Sequence, residues 1–295
     1  MNDEVIEKYR EAGRIAAEAR DLAEDLVEPG VKLEEGAEKV EGHIRKEGAE
    51  PAFPVNLSVN EEAAHYTPLK NDDREFSEGD IVKIDVGAHV DGYIGDTAVT
   101  KDLGDHDSLV EAARNAVING LEAAGEGTNL GELGRIAEES IEELGVKPIR
   151  NLGGHTLEKY TQHAGTMIPC IETSTSTEME KGKAYAIECF ATDGAGKVVE
   201  GKPGNIYKYE GGNVRNRTAR KILKAVKSNY RTLPFTTRWL DFSPARIKLA
   251  MSRMVSSGVM KDYGILKEKD DGMVAQHEHT LIITDDGVEV TTRIE

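Results

Sequence analysis

Apolar residues over 4–27 (Val5, Ile6, Tyr9, Ile15, Ala19, Leu22, Leu26) recur at helical spacing and stop at Pro29-Gly30. That pattern predicts a long amphipathic helix. A second helix is expected over 33–47, and two more over 106–124 and 130–144. Between the two helix pairs the period drops to two. Val82, Ile84, Val86, Ala88 and Val90 alternate with Ile81, Lys83, Asp85, Gly87 and His89, the mark of a strand with one apolar face. Strands also fit 165–171, 183–192, 273–284 and 287–294. Helices thus precede a strand pair twice, which points to a duplicated α+β unit around a mainly antiparallel sheet.

Asp91-Gly92 is a strong two-residue hairpin turn signal. With those two residues as the turn, Val90 pairs with Tyr93, Asp85 lies opposite Ala98, and Asp96 lies opposite Gly87. Asp85 and Asp96 then share a face as diagonal neighbours, roughly 5–8 Å apart at Cβ. Two carboxylates at that spacing share a proton or a cation. A solvated polar hairpin face is the alternative reading of the same pattern.

The stretch 205–262 breaks the order. Asn213 is expected to open a helix, and Ser243-Pro244 supplies the start of another. Residues 214–253 hold eleven Lys/Arg against one acid, Asp241. The segment carries +10, which leaves −27 on the rest of a chain whose total is −17. It reads as a helical insertion. Either it docks by charge on the acidic body, or it offers a patch for ribosomal RNA. The strongly acidic total argues against general affinity for DNA or anionic membranes. No run approaches about 18 apolar residues, and the first thirty are charged throughout, so neither a signal peptide nor a membrane span is expected. Two cysteines, Cys170 and Cys189, give no disulfide framework and suit a reducing, cytoplasmic setting.

Further ligand candidates follow in "NLGGHTLEKYTQHAG", with His155 and His163, in "AYAIECF", with Glu188, and in "VAQHEHTLII", with Glu278. A lone His or strand Glu commonly has only a structural role. In "HEH", His277 and His279 share a face and Glu278 points the other way, so Glu278 is the better ligand. Asp85, Asp96, Glu188 and Glu278 sum to −4, and His155 is neutral as a ligand. Two divalent cations balance that charge. An oxygen-rich set with one imidazole suits Mn, Fe(II), Co or Zn.

The chain resembles the type II methionine aminopeptidases in their short archaeal form. "DIVKIDVGAHVDGYIGD" looks like that family's signature from end to end, and "NLGGH", "HAG", "AIE" and "EHT" follow in family order. The resemblance covers nearly the whole length. It implies a pita-bread α+β fold with pseudo-twofold symmetry and a helical insertion. The catalytic domain would then span 1–204 and 263–295, and the insertion subdomain 205–262. It implies a pair of metals held by Asp85, Asp96, His155, Glu188 and Glu278. His65 and His163 match active-site histidines that act on the substrate with Glu188, and Phe53, Tyr263 and Ile206 match walls of a methionine pocket.

The implied reaction removes the initiator methionine from nascent chains with a small second residue, through a hydroxide bridging two metals. A monomeric, cytoplasmic enzyme is expected, with nascent N-termini as substrate and a ribosome contact through the insertion. Two rivals share the fold: an Xaa-Pro peptidase, and a non-catalytic ribosome- or RNA-binding homologue. The first has a sizeable extra N-terminal domain, and the second would lose ligands. One departure stands out. Gln162 occupies a position where an aliphatic pocket residue is expected, and a polar side chain there would narrow or re-aim the pocket. Cys189 should point away from Glu188, and no chemistry is assigned to it.

Overall fold

The structure, a computed structural model, describes residues 1–293. In chain order the elements are α1 (Asp3–Leu26), α2 (Leu33–Lys46), β1 (Glu50–Pro51), β2 (Asn56–Val59), β3 (Glu62–Ala64), β4 (Ile81–Val90), β5 (Tyr93–Asp102), α3 (Asp107–Ala123), α4 (Leu130–Glu142), β6 (Lys147–Pro148), β7 (Gly153–Leu157), β8 (Met167–Pro169) and β9 (Ala184–Thr192). There follow β10 (Val198–Tyr209), α5 (Arg217–Asn229), β11 (Phe235–Thr236), a 3-10 turn (Thr237–Trp239), α6 (Pro244–Ser256), β12 (Met260–Glu268), β13 (Val274–Thr284) and β14 (Gly287–Val290).

The main sheet runs β1-β4-β5-β13-β9-β7-β8, and its neighbouring strands are antiparallel. Each half is a strand pair backed by a helix pair. Ile15, Ala16, Ala19, Leu33, Val40 and Ile44 of α1 and α2 pack on Val82, Ile84 and Val86 of β4. Ala112, Ala116, Leu133 and Ile141 of α3 and α4 pack on Ile187 and Cys189 of β9 and Leu281 of β13. Burying these side chains contributes roughly 1.5–3 kcal/mol for each large aliphatic group. The duplicated helix-pair and strand-pair unit forms the pseudo-twofold pita-bread fold, with β5 and β13 meeting at its seam.

That seam is unusual. Among the described residues its one ladder pair is Glu278 with Ala98. Threonine hydroxyls make the other connections. Asp96 N donates to Thr280 Oγ1, which donates to Asp96 O, both at 2.8 Å. Thr97 Oγ1 donates to Glu278 O, and Thr100 Oγ1 to Gln276 O, both at 2.8 Å. A side chain inserted between two backbones satisfies their polar groups while holding the strands farther apart than a regular ladder does.

The predicted helices and the hairpin register match the structure, with Asp85 opposite Ala98 and Asp96 opposite Gly87. Four expectations need correction. The strand expected over 165–171 is only Met167–Pro169, and the one expected over 287–294 ends at Val290; its last residue, 294, lies outside the described residues. The first insertion helix is opened by Asn216, not Asn213, because Asn216 accepts from Thr218 N and Ala219 N at 3.0 Å. The stretch from 205 also begins and ends as strand. β10 and β12 pair with each other and with β11 and β3 in a second, four-stranded sheet. Register shifts around Pro203 hide this hairpin from a period-two reading.

Beyond this hairpin the insertion has its own core of Ile222, Leu223, Val226, Phe235, Met251 and Met254. Ten of the eleven cations within 214–253 are exposed; Arg238 alone of those eleven pairs with a carboxylate among the described residues. Docking by charge on the acidic body therefore rests on a single ion pair. Among the described residues no helix is long and apolar enough to cross a membrane.

Candidate metal centre

Five consecutive strands of the main sheet each present one candidate ligand on the same face. β4 carries Asp85, β5 Asp96, β13 Glu278, β9 Glu188 and β7 His155. Register places them. Asp85 and Glu278 both flank Ala98, and Glu278 lies directly opposite Glu188. His155 pairs with Ala186, two residues before Glu188 on the same face. The glycine pair before His155 makes this approach possible: a Cβ on Gly154 would sit 2.2 Å from Ala186 O.

The ligand atoms form two groups that share Glu278. Asp96, His155 and Glu278 make one, and Asp85, Glu188 and Glu278 the other; within each group all atoms lie within 4.8 Å of one another. Like charges directly opposite on neighbouring strands are destabilising; of the four carboxylates, two are dry and Asp85 and Glu188 are half-buried. Asp96 and Glu278 are each 1% exposed. Asp85 Oδ1, Asp96 Oδ1, Glu278 Oε1 and His155 Nδ1 are buried with no hydrogen-bond partner among the described residues. Orphaned acceptors of this kind cost about 1–3 kcal/mol each unless something cationic meets them. Four carboxylates and one imidazole, three of the carboxylates with an unpartnered buried oxygen, fit divalent cations.

Two amides support the carboxylates. Gln276, two residues before Glu278, donates Nε2 to Glu188 Oε1 at 2.7 Å. Gln162 donates Nε2 to Asp96 Oδ2 at 3.3 Å. The sequence reading missed the role of Gln276, although its spacing from Glu278 put it on the ligand face. It singled out Gln162 only as a pocket residue. Cys189 points to the other side of the sheet, as expected, where its Sγ lies 2.8 Å from Cys170 Sγ in the core beneath α3 and α4. His277 and His279, also turned away from the ligands, stand edge to face, and His279 Nδ1 meets Thr292 Oγ1 at 2.9 Å.

The ligands line the floor of a cleft of about 540 Å³. His65, His163, Phe53, Ile206 and Tyr263 line it as well, so every residue singled out for substrate contact borders the same space. The His163 ring centroid lies 4.3 Å from that of His155, and His65 stands edge-on to Tyr263 at 5.3 Å. Burial pushes His155 and His65 down to about 4, and burial together with the neighbouring His155 pushes His163 down to about 2. All three imidazoles are therefore neutral at pH 7.

The carboxylates move the other way. Burial and mutual repulsion push Asp85, Glu188 and Glu278 well above the carboxylate range, and burial raises Asp96 to about 7. The raised Asp96 stabilises the metal-free fold fully below the unfolded value of about 4. This stability is lost as pH rises from there through about 7. Asp96→Asn should therefore raise the unfolding midpoint of chelator-treated protein at pH 8. The gain should be a few kcal/mol at most and should shrink toward pH 4. Thermal unfolding at both pH values checks this; a lowered midpoint at pH 8 would contradict the burial argument.

The family model of metallopeptidase family M24 matches residues 7–285. The methionine aminopeptidase of Methanocaldococcus jannaschii is 46% identical over 295 residues, covering 99% of this chain and 100% of that protein. Among solved structures, a thermophilic Arx1 aligns with a TM-score of 0.87 at 19% identity, over 99% of this chain and 91% of that one, a likeness of fold. A methionine aminopeptidase from Thermotoga maritima aligns with a TM-score of 0.73 at 25% identity, over 100% of this chain and 98% of that one. With its five ligand candidates on one sheet face and a family match over nearly its whole length, the chain belongs to metallopeptidase family M24.

Proposed function

We propose that this chain is a methionine aminopeptidase of the type II class, removing the N-terminal methionine from nascent chains whose second residue is small. The observation that carries the reading is the joining of two ligand groups through Glu278 at the foot of a cleft with one apolar wall. Near-full-length identity to the archaeal enzymes supports it. The retained ligand set disfavours the non-catalytic rival, and the full-length identity to archaeal methionine aminopeptidases favours this reading over the Xaa-Pro peptidase.

In this reading Asp85, Asp96, His155, Glu188 and Glu278 hold two divalent ions. When bound, such ions acidify water and polarise a carbonyl. Gln276 orients the Glu188 carboxylate by donating to Oε1, and that carboxylate carries the proton from the attacking water to the leaving amine. His163, held neutral by burial, donates a hydrogen bond to the developing oxyanion. His65 stands over the scissile bond. Phe53, Ile206 and Tyr263 take the methionine side chain. The division into a catalytic domain of 1–204 with 263–295 and an insertion of 205–262 is kept in this reading, its borders falling inside β10 and β12.

Chelator-treated protein reloaded with Mn or Co should release methionine from Met-Ala-Ser but not from Met-Lys-Ser. Glu188→Gln, fully metal-loaded, should lose at least about 100-fold in kcat. Wild-type turnover in that variant would remove Glu188 from the proton path, and cleavage of Met-Lys-Ser would remove the small-residue gate.

The ten exposed cations within 214–253 favour a further contact, with ribosomal RNA. Co-sedimentation with ribosomes should weaken steeply with salt. Reversing Lys221, Lys224 and Lys227 should abolish it while tripeptide cleavage stays intact. No co-sedimentation at low salt would refute the contact.

A further inference from the structure

The insertion is tied to the body by Leu233, buried against Tyr9, Phe53 and Leu157, by Thr232 Oγ1, which donates to Tyr160 O, and by one buried ion pair. Arg238, in the 3-10 turn, grips Glu41 of α2 with both guanidinium arms, at 2.6 and 2.9 Å, and both side chains are 2% exposed. Trp239 Nε1 donates to the same carboxylate at 2.7 Å. A planar fork meeting a carboxylate in this way fixes direction as well as charge.

The rest of the guanidinium reaches the segment that carries His65. Arg238 Nη2 donates to Thr67 Oγ1 at 3.2 Å, and Nε to Pro68 O at 3.3 Å. Asn205 of β10 donates to the same Pro68 O at 3.2 Å and to Thr236 Oγ1 at 2.8 Å, and Thr237 Oγ1 donates to Asn205 Oδ1 at 2.5 Å. Both His65 and Asn205 have left-handed backbones, with φ of 69° and 61°. For histidine that conformation persists only where the surroundings over-determine it. Gly204 packs against its carbonyl so closely that a Cβ there would sit 2.1 Å from His65 O. The His65 segment is thus clamped between β10 and Arg238.

We propose that the Glu41–Arg238 pair is a positioning device that holds the His65 segment against β10 and aims His65 into the cleft, so that the insertion sets the geometry of the reaction. This rests on the aminopeptidase reading of the cleft. Stability alone does not account for the pair, since well-packed apolar side chains commonly replace a buried ion pair at no loss. What they cannot replace are the donors to Thr67 and Pro68.

The test follows from that difference. Glu41→Gln combined with Arg238→Met removes both charges together and keeps an amide oxygen that can accept from Trp239 Nε1. The double variant should stay folded, with a modestly lowered unfolding midpoint from the lost hydrogen bonds, and keep Mn(II) binding. Its kcat on Met-Ala-Ser should fall about 10- to 100-fold with little change in KM, the penalty for a displaced group. Its His65 ring signals, in ring-15N-labelled protein at pH 7 assigned with His65→Ala, should shift. Unchanged His65 signals would overturn the proposal. Should the double variant fail to fold, Arg238→Lys is read in the same way, since lysine keeps the charge without the fork; wild-type kcat there also overturns it. If wild-type protein releases no methionine, the aminopeptidase reading falls, and the His65 signals alone decide the positioning claim.

Discussion

Four carboxylates share one floor, two of them dry and two half-buried, and the rest of the molecule is arranged around that fact. Asp85, Asp96, Glu188 and Glu278 point inward from adjacent strands, and the inner oxygens of Asp85, Asp96 and Glu278 find no donor among the described residues. A cluster like this opposes its own folding. Burial raises the proton affinity of every member, and a proton is a poor substitute for a cation that several oxygens can share. The stability that compensates lies elsewhere, in the two apolar layers beneath the sheet.

The surrounding structure is a set of devices for holding that cluster open. Each half of the fold brings two carboxylates, and the halves meet at β5 and β13, where threonine hydroxyls replace most of the ladder. Gln276 and Gln162 orient carboxylates that would otherwise swing apart. Above the floor, a second sheet supplies the wall with Ile206 and Tyr263. The insertion grows from this sheet and returns to the body through the Glu41–Arg238 contact and through the buried Leu233. Floor, wall and insertion are therefore one connected structure, although the insertion has a core of its own.

The floor is legible in the sequence because it is local. Asp91-Gly92 admits one hairpin register, and that register alone puts Asp85 and Asp96 on a common face. Glu188 and Glu278 stand out as acids in apolar strands. The wall is hidden because its strands break the period-two rule: Pro203 and the adjacent bulges shift the register of β10 twice, and glycines there read as loop. Asn213 misleads because it lies three residues from Asn216, an equally good capping residue that wins through its contacts with Thr218 and Ala219. The Glu41–Arg238 contact joins residues far apart in the chain, and no local pattern announces it. His65 and His163 are reached by family resemblance, since nothing in their immediate neighbours marks a histidine as functional.

The central claim is that this floor exists for cations. Equilibrium dialysis of chelator-treated protein against Mn(II) at pH 7 counts the ions, and calorimetry in buffers of different ionisation enthalpy counts the protons. The account predicts two ions per chain and a net release of protons, because the raised carboxylates must ionise to bind. A folded protein that takes up no ion, or takes up ions without releasing protons, would contradict it.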